Sequence, residues 1–307
     1  MSGPLRLKVL PSACTDLDLT WYEMIRDELL RRIIPEGARV LDVGCGAGEV
    51  LRTLSGRIQE GVGVDISEER VTRARNEARE TGLANVEFGR ASVLELPFAS
   101  GACDVVVCLG DVLSSSTVFG KQSQAVAEMK RVLAEGGLTV YEGMNWEWEY
   151  AGSPQWTFFS RTGRGDFRLH RVNRTPSGRE TSRSYDVVRP SELHEWIRDQ
   201  EWPTSPSGHR VSLDVVEEEA IPQRFLRRRG TDRYQFYTTR SLEAMYTEAG
   251  FRGVEVFAYG QTYEIVSRAG LVDEFRPAME ELARAEAELI LEQRAGGGPW
   301  LFLVGRK

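Results

Sequence analysis

Apolar positions along the first 141 residues follow two alternating rhythms, one of period near 3.6 and one of short continuous runs. Tyr22, Ile25, Leu29 and Ile33 recur at helical spacing; Thr20 and Glu23 frame them as a capping box, and Pro35 stops them. Val40 to Val43 then form a buried run, followed by a glycine-rich turn and a helix beginning near Glu49. A second run, GVGVDI, carries Asp65 at its end, and Ser67 caps a charged helix reaching about Glu80. Val86 to Phe88 and Asp104 to Leu109 are further strands, and Ala125, Val126, Met129, Val132 and Leu133 make a helical stripe closed by Gly136-Gly137. Leu138 to Tyr141 read as a fifth strand. Strands alternating with helices through short links predict a parallel sheet covered on both faces.

The rhythm breaks after Glu142. Residues 143–235 are rich in aromatics, arginine and turn formers. FRLHRVNRT and ETSRSYDVV flank Pro176-Ser177-Gly178 as a hairpin, SELHEWIRDQ reads as helix, and VSLDVVEEEA as strand. So long a stretch between sheet elements reads as an antiparallel cap over a ligand site. The α/β pattern returns with a helix from Ser241 to Ala249, a strand from Val254 to Phe257, an amphipathic helix from about Glu274 to Gln293, and a closing strand, PWLFLVGRK. The expected architecture is a Rossmann-like, doubly wound, seven-stranded, mostly parallel α/β sheet. One domain comprises residues 1–142 and 236–307, and the β/α cap of 143–235 is inserted after strand five. The helix at 274–293 places Phe275, Met279, Leu282, Leu289 and Ile290 on about one side, which suits either its own sheet or a homodimer contact.

Composition narrows the function. The net charge of −7 disfavours a general polyanion binder, so no nucleic-acid partner is favoured. No apolar run reaches the length of a membrane span, and the start, MSGPLRLKVLPSACTD, has no signal-peptide core; a cytoplasmic protein is expected. Cys14, Cys45, Cys103 and Cys108 form no C-x-x-C pair, and the odd separation of Cys103 and Cys108 on one strand predicts opposite faces, so no metal is expected.

The chemistry concentrates in VLDVGCGAGEV, Val40 to Val50. A strand, a glycine turn and a helix N-terminus make a site for a nucleotide-like ligand. Dinucleotides need a small residue at the third position of G-x-G-x-x-G, where this chain has Glu49. A carboxylate there faces a doubly anionic pyrophosphate, whereas a ligand without phosphate and with a positive centre tolerates it. S-adenosylmethionine (SAM), with its sulfonium and ammonium, is such a ligand.

In these residues the chain resembles the class I SAM-dependent methyltransferases. Val40-Leu41-Asp42-Val43-Gly44-Cys45-Gly46-Ala47-Gly48 matches the first motif, and GVGVDIS supplies the acidic end of strand two. In Ala91-Ser92-Val93-Leu94-Glu95-Leu96-Pro97-Phe98, Ser92 stands where the family carries an aspartate for the adenine amino group. CDVVVCLGD and RVLAEGGLTV resemble the fourth- and fifth-strand regions, with Glu135 in place of proline. The resemblance implies SAM as cofactor, S-adenosylhomocysteine as product, and no metal. It implies cofactor contacts from Tyr22, Asp42, Gly44, Cys45, Gly46, Gly48, Asp65, Ile66, Ser92, Val93 and Leu109, with Asp65 on the ribose hydroxyls.

The D/N-P-P-Y/F motif of exocyclic base methylation is absent; Gly110-Asp111-Val112-Leu113 stands there. CLGDVLS resembles small-molecule enzymes of the fold, so the expected reaction is in-line methyl transfer to a small molecule, an amine nitrogen favoured over a hydroxyl oxygen. The alternatives are an RNA or protein methyltransferase, or a non-catalytic regulatory or partner subunit of the SAM fold. Asp111, at the mouth after strand four, and His170, in the arginine-rich hairpin, are the candidate acid–base residues. Glu142 ends strand five pointing toward the site. Trp146, Trp148, Tyr150 and Trp156 either wall an acceptor pocket or form the cap's own core. Arg161, Arg164, Arg168, Arg171 and Arg174 either face solvent or hold an anionic acceptor.

Overall fold

The computed structural model describes residues 16–115, 117–145, 237–268, 271–293 and 296–307, together with the backbone of five strands between 156 and 234. Near-continuous apolar runs form the central strands, β1 (Arg39–Val43), β2 (Glu60–Asp65), β3 (Val86–Arg90), β4 (Cys103–Cys108) and β5 (Leu133–Met144). Beyond them come β6 (Trp156–Arg161), β7 (Phe167–Arg174), β8 (Glu180–Val187), β9 (Val215–Glu217) and β10 (Arg233–Tyr234), and then β11 (Arg252–Tyr259) and β12 (Trp300–Arg306). The seven-stranded sheet has the order β11-β12-β5-β4-β1-β2-β3. The first five strands pair in parallel, and β12 runs antiparallel between β5 and β11.

Because β1 and β4 are apolar on both faces, the sheet needs cover on both. One core gathers α1 (Asp16–Ile33), α2 (Glu49–Leu54) and α3 (Glu68–Glu80). The other gathers α4 (Gln122–Val132) and α5 (Thr239–Glu248). After β11 come α6 (Gln261–Arg268) and α7 (Met279–Gln293). Met279, Ala283, Ala287 and Ile290 of α7 are buried in the same core as Trp21, Ile25 and Leu29 of α1. That face therefore packs within the protein, chiefly on α1 and beside β11. Phe275 and Leu289, expected on it, are exposed: Pro277 interrupts the helix before α7 starts afresh at Met279, and Leu289 lies about a quarter turn round α7 from the buried row.

Three local expectations change. Helix α1 already begins at Asp16, so Thr20 lies inside it and not at its N-cap position. Helix α4 ends at Val132 and the chain enters β5 directly, Gly136 taking φ +75° within the strand instead of closing a helix. A register shift between Cys103 and Val105 turns Cys103 to the same face as Cys108, and both lie in the α4–α5 core. Five residues of strand still separate them by about 16 Å, and both are free thiols.

The second sheet has the order β10-β8-β7-β6-β9. β6, β7 and β8 are antiparallel, and Arg174 pairs with Glu180 across the expected hairpin turn. The edges β9 and β10 pair in parallel, so the sheet is mixed, not wholly antiparallel. The expected helix at 191–200 lies outside the described residues. The stretch is bracketed by an isolated parallel bridge between Asn145 and Tyr237. Buried Asn145 donates its N–H to the Pro299 carbonyl (2.8 Å) and its Nδ2 to the Gly298 carbonyl (2.9 Å). Asn145→Ala strands that carbonyl, so urea denaturation is expected to show a loss of about 1–2 kcal/mol; an unchanged midpoint contradicts this role of the bracket.

Candidate functional site

The turn after β1 is tethered to β2. The Gly44 and Cys45 amides both donate to the Val64 carbonyl, at 2.7 and 3.0 Å. Gly44, Gly46 and Gly48 take φ of +78°, +55° and +79°, a left-handed region that side chains resist. Their surroundings differ. A Cβ on Gly44 collides with Val112, and one on Gly48 with the Phe88 ring. A Cβ on Gly46 meets nothing within 4 Å. Two glycines thus make room for the protein's own side chains, and the third leaves the backbone bare toward open space.

Asp65 closes that space from β2. Its Oδ2 accepts from the Gly46 amide (3.1 Å) and its Oδ1 from the Ser67 amide (2.9 Å). Each oxygen keeps a further lone pair, which is what a vicinal diol requires. Exposed Arg70 stands 3.9 Å from Oδ2. Next to Asp65, Ile66 is half exposed, while Val93 and Leu109 are buried. The Ser92 hydroxyl accepts from the Leu94 amide (3.2 Å), folding the β3–β4 loop into a tight turn. Cys45 is buried, and burial together with Asp42 and Asp65 pushes its thiol well up, so it is no nucleophile.

The other end of the crevice lies under α1. Asp42 is 2% exposed, and among the described residues its Oδ2 has no hydrogen-bond partner. Burial raises its carboxyl from 3.8 to about 7; Arg26 of α1 opposes the shift and Asp65 adds to it. The Arg26 guanidinium is largely buried and bonds Asp27 at 3.0 Å. Its desolvation is outweighed by the fields of Glu142 and Asp27, which hold it charged. Glu23, one turn before Asp27, is half-buried, and burial raises its carboxyl with help from Glu49, Asp27 and Glu142. Arg26 and Glu23 escape motif matching. The signal for Arg26 is its spacing, four residues after Tyr22 on one face of α1.

At the carboxyl ends of β4 and β5, Glu142 accepts from the Gly110 amide (3.1 Å) and from the Tyr259 hydroxyl. Among the described residues Asp111 is the one non-glycine at positive φ (+65°), strain of the sort that gathers at functional sites. Its Oδ1 accepts from the Met144 amide (2.7 Å) and the Ser114 hydroxyl (3.4 Å), tying the β4 exit to the β5 exit. The Tyr22 ring packs edge-on against Tyr263 (5.1 Å) and Trp300 (6.2 Å). His170 lies on β7, and its side chain is outside the described residues, as are those of the Trp146–Trp156 and Arg161–Arg174 groups. Among the described residues no cluster of His, Cys, Asp or Glu is arranged to hold a metal ion, and no helix is long and apolar enough to cross a membrane.

Asp42 has a consequence for pH. The folded chain holds the Asp42 proton up to about pH 7, and the unfolded chain releases it near 3.8. Folding therefore favours the protonated form, and the stability this group contributes is lost as pH rises through that interval. Asp42→Asn is expected to flatten the decline and raise the melting temperature of the ligand-free protein at about pH 8, by roughly 1–2 kcal/mol of recovered stability. Equal pH profiles for the two proteins in calorimetry contradict the assignment.

Residues 40–137 match a family described as a methyltransferase domain. The chain is 36% identical over 99 residues to the uncharacterized methyltransferase YcgJ of Bacillus subtilis, covering 32% of this chain and 38% of that protein. It is 37% identical over 105 residues to a phosphatidylethanolamine N-methyltransferase of Cereibacter sphaeroides, covering 34% and 49%. The chain thus spans less than half the length of either relative. The solved structure of the CcbJ methyltransferase from Streptomyces caelestis superposes with a TM-score of 0.50 at 15% identity, over 92% of this chain and 89% of that one, a likeness of fold. Residues 40–137 are thus similar to a methyltransferase domain, and the strand order with its antiparallel β12 and the glycine turn closed by an acidic β2 support a class I SAM-dependent methyltransferase fold around them.

Proposed function

We propose that the protein transfers the methyl group of SAM to a small molecule, an amine nitrogen being the preferred acceptor. The observation carrying this reading is the pairing of a bare backbone at Gly46 with the Asp65 carboxylate at one end and the unpartnered Asp42 oxygen at the other. The residues fit the cofactor. Asp65 offers two acceptors to a ribose diol, Ile66 an apolar face to a base, and Ser92 a hydroxyl at the adenine edge. Asp42 offers a buried carboxylate to an ammonium, and Arg26 a guanidinium to a carboxylate. A cation with no phosphate suits a crevice lined by Asp42 and Asp65.

When bound, SAM supplies an electrophilic methyl on sulfur. The chain's own part is positional: it aligns the acceptor, excludes water and leaves the displaced sulfur neutral. Glu142 fixes the Gly110 amide and Asp111 fixes Met144, so the wall at the β4 and β5 ends is rigid on the side toward which a ligand anchored at Asp65 and Asp42 extends. The carboxylates there, Glu23, Glu142 and Asp111, favour a basic acceptor over an acidic one. An amine delivered neutral needs no strong base, which supports nitrogen over hydroxyl oxygen. Asp111 and His170 are the proposed acid–base residues for the proton the product amine loses.

Calorimetric titration is expected to show SAM and S-adenosylhomocysteine binding. Asp65→Ala weakens both by more than about tenfold, because the ribose diol and the Gly46 amide lose their partner together. Label from methyl-labelled SAM is expected in small amines from a metabolite panel. Absence of binding, or undiminished binding by the Asp65 variant, overturns the reading.

A further inference from the structure

Glu286 interrupts the apolar row of α7. It is 7% exposed among Ala283, Ala287 and Ile290, a costly place for a carboxylate without partners. Its partners are three successive amides on another helix. Gly260 (2.7 Å) and Gln261 (3.0 Å) donate to Oε1, and Thr262 (3.1 Å) to Oε2. These belong to the first turn of α6, whose amides have no acceptor inside the helix and whose dipole favours negative charge there. One carboxylate therefore pins the start of α6 to α7.

Helix α6 passes the constraint on. Tyr263, next after the pinned amides, sets its ring edge-on against Trp21 (5.5 Å) and Tyr22 (5.1 Å) of α1. Tyr22 also fills the space over Gly260 where a Cβ would sit. The Tyr263 hydroxyl and the Trp21 indole N–H are both buried without a hydrogen-bond partner, so the wedge is held by shape and not by polar bonds. One turn further along α1 is Arg26, whose charge acts on Asp42. Glu23 meets the field of Glu49, at the start of α2. The wedge thus lies one turn from the α1 residues that overlie the Asp42 end of the crevice, and far along the sheet from Asp65 on β2.

We infer that Glu286 is a positioning residue: it pins α6, and through the Tyr263 wedge it sets α1 over the end of the crevice that takes the amino-acid part of the ligand. This rests on the SAM reading of the site, and the test separates the two. S-adenosylhomocysteine carries the amino-acid part, and 5′-methylthioadenosine lacks it. Asp65 serves the adenosine common to both.

Titration of the wild-type chain is expected to show both ligands binding. Glu286→Ala weakens S-adenosylhomocysteine by about tenfold and Glu286→Gln, which keeps the shape and one acceptor, by about threefold, while 5′-methylthioadenosine stays within about twofold in each. Tyr263→Leu reproduces the selective loss without touching Glu286. Tyr263→Phe, which keeps the ring and removes the orphan hydroxyl, leaves both affinities unchanged and the melting temperature equal or higher. If Glu286→Ala does not fold, the Gln and Leu variants decide. Parallel losses for the two ligands, or none for either, overturn the inference. A wild-type chain that binds neither ligand overturns the SAM reading and this inference with it.

Discussion

The site depends on one carboxylate shared between two strands' ends. Asp65 ends β2, yet its oxygens hold the Gly46 amide of the turn after β1 and the Ser67 amide that opens α3. Without it the turn keeps the Val64 carbonyl, its own Gly48-to-Cys45 bond and the Arg52 guanidinium on the Ala47 carbonyl, but the Gly46 amide loses its acceptor across the crevice. The sheet makes the sharing possible. Parallel pairing of β1 with β2 brings both carboxyl ends to one edge, and the apolar cores on both faces keep them there. Gly44 and Gly48 complete the arrangement by admitting Val112 and Phe88, so the turn is packed from the β4 side and the β3 side at once.

The same edge stores a conflict between stability and use. Asp42 is buried with one oxygen unpartnered, and the nearby Asp65 adds to the cost of charging it. A neutral residue in its place suits the ligand-free fold better. A cationic ligand reverses that balance, because it supplies the missing counter-charge where water is excluded. Asp111 shows a similar tension in its backbone: a non-glycine held left-handed, its side chain spanning from the β4 exit to Met144.

Much of the frame was legible in the residues. β1, β2, α2 and α3 lie where the apolar runs, Asp65 and the Ser67 cap placed them, since local signals and tertiary packing agree there. Thr20 misled because a good cap residue is also tolerated inside a helix. Gly136-Gly137 misled because glycine accommodates a bend within a strand as readily as a helix end. The face of Cys103 misled because a register shift breaks the period of two. Of the site, the motif residues were legible. Arg26, Glu23 and Glu286 escaped the motifs, because each acts across elements distant in sequence; Arg26 had only its helical spacing from Tyr22 as a signal, and Glu286, a lone charge on an amphipathic helix, had none. The partners of Glu142, Gly110 and Tyr259, were not legible either.

The most direct test of the account is a crystal structure grown with S-adenosylhomocysteine. The account predicts both ribose hydroxyls on the Asp65 carboxylate, the ligand crossing the bare backbone of Gly46, and its amino-acid end beneath α1 beside Asp42 and Arg26. Density for the ligand elsewhere, or a pyrophosphate-linked nucleotide seated on Gly46, contradicts it.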